Sequence, residues 1–455
     1  MGKLLRFLLV VGVVVGALYV LFWPATAPVL QVGTDRPGVG HGGTTASVRA
    51  SAPRGVTALR VEAIQGARAV LLDERAMEAP APWAFWRERV REVELDVELG
   101  PATFPELSEG ELTLRVTAEG AGAVLRGPRV SMEEVDLPVR LTPPPLGVTS
   151  RQNYVAQGGS GVVVYRIGDR ALEEGARDGV QAGSWFFPGR ALGGSDPTAR
   201  FALYGVPYEL SEPSEVHLVA EDNLGNAATI AFVDRFFARP LATDTIRLSV
   251  AFMEKVVPEI LARTPDQSDR GDLLDNYLAI NGELRARNAE SLVELGRAPH
   301  DSFLWSDAFV QLPGSQVMSS FADRRTYLFE GKKVDQQDHL GFDLASVSSA
   351  AVPAANRGVV VLARYFGIYG NTVVLDHGVG LMSLYSHLST IDVTEGQEVD
   401  KGHTLGRTGE TGLAGGDHLH FTTLVRGLPV NPIEWWDPAW IRDRVLGKLV
   451  VPSSE

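Results

Sequence analysis

Apolar residues open the chain as one block. Behind Lys3 and Arg6, positions 7 to 23 (Phe7 to Trp23) form an apolar run of 17 residues broken only by Gly12 and Gly16. That reaches the lower end of the ~17–25 residues a membrane-spanning helix needs and exceeds the ~7–15 of a signal-peptide core. The pattern predicts a retained signal anchor over 1–23, with the basic residues holding the N-terminus in the cytoplasm. A cleaved signal peptide is the alternative, because Ala25-Thr26-Ala27 has the small-x-small form of a processing site. Either route sends the rest of the chain out of the cytoplasm. The expected location is the cytoplasmic membrane, single-pass, with the C-terminal domains in the periplasm or extracytoplasmic space.

Residues 24–50 are rich in Pro, Gly, Thr and Ala with little apolar periodicity, and are expected to form a flexible linker. Beyond it the two-residue period of strands takes over. Val93, Leu95, Val97 and Leu99 alternate with charged positions, and Leu112, Leu114 and Val116 repeat this after Gly110. The spacing predicts a β-sandwich-like, immunoglobulin-like module over 51–145, closed by the helix- and ladder-breaking run Pro143-Pro144-Pro145. A second β-rich module over 146–240 follows, with strands near 161–165 and 215–220 and a turn at 222–226. Over 241–299 the period changes. Ile246, Val250, Met253, Val257 and Ile260 recur at spacings of three and four, and 273–295 continues the pattern, as amphipathic helices of a connector would. The fold class is therefore mainly β, with an anchor, two sandwich-like modules, a helical connector, a β-rich domain over 300–440 and a tail over 441–455.

A net charge of −14 argues against a nucleic-acid binder, which needs a basic footprint to displace counterions. The chain has no cysteine, which excludes disulfides and thiolate metal sites, so a transition metal would rest on histidine and carboxylate. Six of the nine histidines fall between His339 and His420, among short strand patterns and glycine turns. His339-Leu340-Gly341-Phe342-Asp343 sets an imidazole and a carboxylate four apart around a glycine, a ligand pair zinc accepts. His418-Leu419-His420 has the period of a strand, so both imidazoles project from one face. His387 supplies another imidazole. A catalytic zinc wants about three protein ligands and an open position, and spacing alone leaves open which histidines ligate.

The segment 300–437 resembles the lysostaphin/LytM-type zinc metallopeptidases, which cut peptide bridges or stems in peptidoglycan. The resemblance rests on Phe321-Ala322-Asp323-Arg324-Arg325, His339-x-Gly-x-Asp343, residues 369–378, Tyr385-Ser386-His387-Leu388-Ser389, residues 409–412, His418-Leu419-His420-Phe421 and Val430-Asn431-Pro432, in matching order and spacing. It implies a compact antiparallel β-sheet domain in which His339, Asp343 and His420 hold one Zn2+. It implies that His387 and His418 flank the reacting carbonyl as catalytic groups. Asn371 and Tyr385 are candidate groove-lining, substrate-binding residues, while His377 and His403 are read as structural or solvated. Ala322 stands where the family often has glycine, and Gly415-Gly416-Asp417 replaces the commoner approach to the His-x-His strand. The expected activity is zinc-dependent hydrolysis of peptide cross-links, with peptidoglycan stem peptides as substrate, the cytoplasmic membrane as an anchor partner and no nucleic acid. A divisome or wall-synthesis protein is an open partner. The alternative is a non-catalytic wall-binding or amidase-activating protein, and the long stretch before residue 300 is expected to restrain or position the peptidase.

Overall fold

The computed structural model describes residues 2–22, 26–81, 84, 86–123 and 126–449. An α-helix, α1, covers Gly2–Phe22. The expected anchor coincides with it up to Phe22, and its last residue, Trp23, lies outside the described residues, as does Ala25 of the expected processing site. Among the described residues no helix is long and apolar enough to cross a membrane. The chain divides into two compact units, Met1–Pro145 with Gly168–Arg177 and Ala220–Ala228, and Leu146–Ile167 with Asp178–Val219 and Thr229–Glu455.

The first unit contains β1 (Val29–Thr34), β2 (Thr44–Ser51), β3 (Val56–Gln65), β4 (Arg68–Ala76), β5 (Glu92–Leu99), β6 (Gly110–Gly120) and β7 (Arg129–Val139). They form one sheet in the order β1-β2-β5 and another in the order β4-β3-β6-β7. Val93, Leu95, Val97 and Leu99 from β5 and Leu112, Leu114 and Val116 from β6 share one buried core, as their alternation predicts. The linker expected over 24–50 is corrected here, because β1 and β2 occupy nearly half of it. Thr44, Ala46, Val48 and Ala50 point inward while Ser47 and Arg49 face solvent. The alternation is present but written in small residues, so it carries little hydropathy contrast.

In the second unit, β8 (Ser160–Ile167) pairs antiparallel with β9 (Ala199–Gly205), burying Val162, Val163, Tyr165, Leu203 and Tyr204. The connector follows as β10 (Thr243–Arg247), α2 (Val250–Arg263), α3 (Leu273–Ala279) and α4 (Arg285–Leu295). Ser249 caps α2 by accepting from the Phe252 N–H, and Asp272 caps α3 by accepting from Leu274 and Asp275. A single π turn, Ile280–Leu284, joins α3 to α4. The helices bury Met253, Val257, Ile260, Tyr277, Ile280 and Leu284 against Tyr327 and Ile368. Strand β10 pairs in parallel with β11 (Asp323–Phe329), from Thr243 opposite Arg324 to Arg247 opposite Leu328. The connector is thus hydrogen-bonded into the domain it precedes.

That domain adds β12 (Lys332–His339), β13 (Phe342–Ala345), β14 (Gly358–Tyr365), β15 (Asn371–Asp376), β16 (Leu381–Leu388) and β17 (Leu419–Val425). Its main sheet runs β13-β17-β16-β15-β14, antiparallel throughout. The tail expected over 441–455 is helical as far as Leu449, with Ile441 and Val445 buried; residues 450–455 lie outside the described residues.

A short helix, α5 (Ile433–Trp436), carries a buried carboxyl, that of Glu434, which accepts from the Ser160 N–H at 2.8 Å. Burial pushes it up from 4.5 to about 7, partly offset by the Ser160 donors. A folded-state value above the unfolded one means that ionisation opposes folding. The cost is absent below pH 4.5 and complete above 7, about 3 kcal/mol. Glu434→Gln keeps an acceptor and removes the titration. Between pH 4.5 and 7.5 the wild type is therefore expected to lose about 3 kcal/mol relative to the variant in urea unfolding. His377, which burial holds down to about 4, acts in the opposite sense in both proteins and drops out of the difference.

Candidate metal centre

Three neighbouring strands build the site. His339 ends β12, the chain turns through Leu340-Gly341, and Asp343 returns on β13 directly opposite His420 of β17, which in turn faces Ser386 of β16. The turn demands glycine, since a Cβ on Gly341 would lie 2.5 Å from Thr422 Oγ1 and 2.6 Å from His420 Nε2. The result is a triangle of donor atoms: His339 Nε2 is 3.0 Å from Asp343 Oδ1 and 2.9 Å from His420 Nδ1, and the latter is 2.9 Å from Asp343 Oδ1. Among the described residues these three form the metal-compatible group. Atoms bound at ~2.0–2.1 Å to one tetrahedral zinc are about 3.3 Å apart, so the triangle need open by only a few tenths of an ångström.

Each donor is oriented from behind. His339 Nδ1 lies 3.0 Å from the Ser320 carbonyl, to which it donates, so its Nε2 lone pair faces Asp343. Thr422 Oγ1 donates to the Leu340 carbonyl and therefore accepts from His420 Nε2 at 3.0 Å, leaving the Nδ1 lone pair inward. Arg325 Nη2 holds the other Asp343 oxygen at 2.9 Å. Burial opposes the Asp343 charge, but the surrounding imidazoles outweigh it and hold the carboxyl well below its usual range. Burial holds His420 down to about 4. Thr422→Val removes the acceptor behind His420, and is expected to weaken zinc affinity by about 10- to 100-fold in chelator competition.

The two remaining imidazoles complete the cavity. His418 Nδ1 donates to Gly416 O at 2.8 Å and its Nε2 lies 3.5 Å from Asp343 Oδ1, whose hydrogen bond and charge raise its pKa against the effect of burial. His387 Nδ1 donates to Thr411 O at 2.8 Å, and burial, reinforced by His418 and His420, holds its pKa well below 6.5. The rings of His387 and His418 are 4.9 Å apart. His387 is reached by a bulge: between the pairs Val373–Tyr385 and Asn371–Leu388, β16 places Ser386 and His387 opposite the single residue Thr372 of β15, and His387 itself sits at φ 61. The cavity measures about 120 Å³ and is also lined by Arg285, Arg325, Ile368, Tyr369, Leu413 and Gly415.

Two sequence expectations are corrected. Tyr385 is buried, accepting from Ala355 N–H at 2.7 Å and Ser383 Oγ at 2.9 Å, and lines no part of the cavity. Asn371 lies outside the wall too; its side chain donates to Leu388 O and its backbone N–H to the Thr411 hydroxyl oxygen, bracing the loop that orients His387. Sequence reasoning missed Tyr369, whose ring is 5.7 Å from that of His420, and Arg285, which comes from α4 far upstream. His377 is structural, bonded to Arg357 O and Ser383 Oγ, and His403 is exposed. Ala322 adopts φ 64, the left-handed region that favours glycine, at a strain of about 1–2 kcal/mol.

The model of peptidase family M23 matches residues 337–432. This stretch is a peptidase family M23 domain. The resemblance carried by the sequence motifs is thereby borne out. Over 167 residues the chain is 36% identical to the peptidoglycan DD-endopeptidase ShyA of Vibrio cholerae, covering 36% of each protein. Over 95 residues it is 39% identical to the DD-carboxypeptidase/endopeptidase Mpg of Neisseria meningitidis, covering 21% of this chain and 22% of that one. The chain thus spans about a third or less of the length of these curated relatives. The catalytic domain of the antimicrobial peptidase lysostaphin from Staphylococcus simulans is similar at 24% identity and a TM-score of 0.25, over 29% of this chain and 98% of that domain. All the residues of the triangle, with His387 and His418, lie inside the M23 domain.

Proposed function

We propose that the protein is a zinc-dependent metalloendopeptidase that hydrolyses peptide cross-links of peptidoglycan outside the cytoplasmic membrane. The observation that carries this reading is the convergence of His339 Nε2, Asp343 Oδ1 and His420 Nδ1 on one point, with the Nε2 atoms of two further imidazoles left without a backbone partner. That donor set of two nitrogens and one carboxylate oxygen fits zinc and leaves a coordination position open. When bound, the ion supplies Lewis acidity, lowering the pKa of a water from 15.7 to about 7 and polarising a carbonyl.

The chain's own residues do the rest. His418 and His387 each fix Nδ1–H on a carbonyl, so Nε2 is the atom that exchanges protons with water or the departing amine. Arg325 keeps Asp343 in its ligating rotamer, and Tyr369, Ile368 and Leu413 limit water around the reacting carbonyl. The substrate class is supported by the DD-endopeptidase relative, and the location by the apolar run behind Lys3 and Arg6, which would act as a single-pass anchor.

The test is digestion of purified peptidoglycan by the zinc-loaded whole chain, beside His420→Ala, with products read by mass spectrometry. New peptide ends formed only by the intact site are expected. Stoichiometric zinc without any new ends would favour the non-catalytic, amidase-activating reading instead.

A further inference from the structure

A second cavity, of about 300 Å³, adjoins the metal cavity and shares Arg285, Arg325, Leu413 and Gly415 with it. Its walls come from the connector as well as from the M23 side of the site: Arg247 on β10, Phe252 on α2, Tyr277 on α3 and Tyr327 on β11. Among the described residues the lining holds three guanidinium groups and no carboxylate. One of the three, that of Arg325, is neutralised by Asp343, although its Nε is buried without a partner. Arg285 donates Nε and Nη2 to the carbonyl and side-chain oxygen of Asn281, both neutral acceptors. Arg247 is exposed and has no ion-pair partner among the described residues. Two uncompensated positive charges therefore face an aromatic-walled space one side chain away from the triangle.

We infer that this cavity is a specificity subsite that receives a carboxylate-bearing aliphatic residue of the substrate peptide. The alkyl chain lies on Phe252, Tyr277 and Tyr327, and the carboxylate is taken by Arg285 and Arg247. The inference rests on the endopeptidase reading for what the bound peptide is for, but not for the binding itself. Arg285 and Arg325 line both cavities, so a residue held here neighbours the bond presented to the metal centre. Charge-assisted hydrogen bonds of this kind discriminate an acid from its amide by roughly 10- to 100-fold.

The experiment uses the whole chain and two synthetic tetrapeptides, identical except that one carries 2-aminopimelate and the other its side-chain amide. Calorimetric titration of the zinc-loaded and metal-free forms is expected to show the acid binding roughly 10- to 100-fold more tightly. Arg285→Gln and Arg247→Gln should each bring that ratio close to one while leaving the affinity for the amide in place. The exposed Arg247 serves as the variant whose folding is not in question. Equal affinity for acid and amide, no binding of the acid, or a preference that survives both substitutions would overturn the subsite. Hydrolysis of the same pair separates the two readings. Preferential binding of an acid that is never cut removes the endopeptidase and keeps the subsite; cleavage of both peptides with equal kcat/KM and equal affinity does the reverse.

Discussion

Asp343→Ala is expected to bring bound zinc after dialysis from about one ion per chain to near none, and to lower kcat/KM by roughly a thousandfold or more, about 4 kcal/mol. The reason is that Oδ1 of this one carboxylate sits within 3.0 Å of donor atoms on both His339 and His420 and 3.5 Å from His418. Among the described residues it is the only carboxylate lining the cavity, and removing it leaves the imidazoles facing Arg325 without a counter-charge. The metal-free variant should also lose about 1–3 kcal/mol of stability, because the half-buried Arg325 guanidinium loses its carboxylate. Zinc analysis, hydrolysis and urea unfolding on the same preparation read all three effects. A variant that retains stoichiometric zinc and full turnover would mean that the centre lies elsewhere.

The second large effect concerns His387. Both His387→Ala and His387→Gly remove an imidazole assigned to proton movement and should slow turnover by about 10²–10⁴-fold with zinc content unchanged. Their stabilities should differ in an unusual order. At ordinary positions alanine is the more stable of the two by about 0.4–1 kcal/mol, through the unfolded chain. At φ 61 a Cβ costs about 1–2 kcal/mol, so the glycine variant should be the more stable here, by up to about 1 kcal/mol. The bulge in β16 thus holds backbone strain at a residue to which the proposed chemistry assigns a role, and the Thr411 carbonyl on Nδ1 keeps the ring in place. If alanine is the more stable variant, the strain is not real.

Much of the centre was legible in the sequence because its parts are local. His339-x-Gly-x-Asp343 and His418-x-His420 encode a tight turn and a strand face, and folding only had to lay β13 against β17. The parts that were missed arrive from far away in the chain. Arg285 reaches the cavity because a π turn leads into α4, whose Asn288 accepts from the Ile368 N–H, and no periodicity reports such an arrival. Tyr385 was misjudged for a related reason: its strand is buried along its whole length, so alternation no longer separates an outward face from an inward one. The strands in the expected linker were hidden by composition, since threonine and alanine fill the inward positions that larger apolar residues normally mark.

The parallel ladder between β10 and β11 sets how far the M23 domain is portable. Begun at residue 300, the chain would leave β11 paired with β12 alone, baring a row of unpaired amides beside Tyr327 and Ile368, the kind of open sheet edge on which copies of a protein aggregate. The smallest piece that closes its own sheet starts at Thr243 and carries the three connector helices with it. Transplanting the motif-bearing segment alone into another scaffold would move the chemistry and abandon the edge that keeps it soluble.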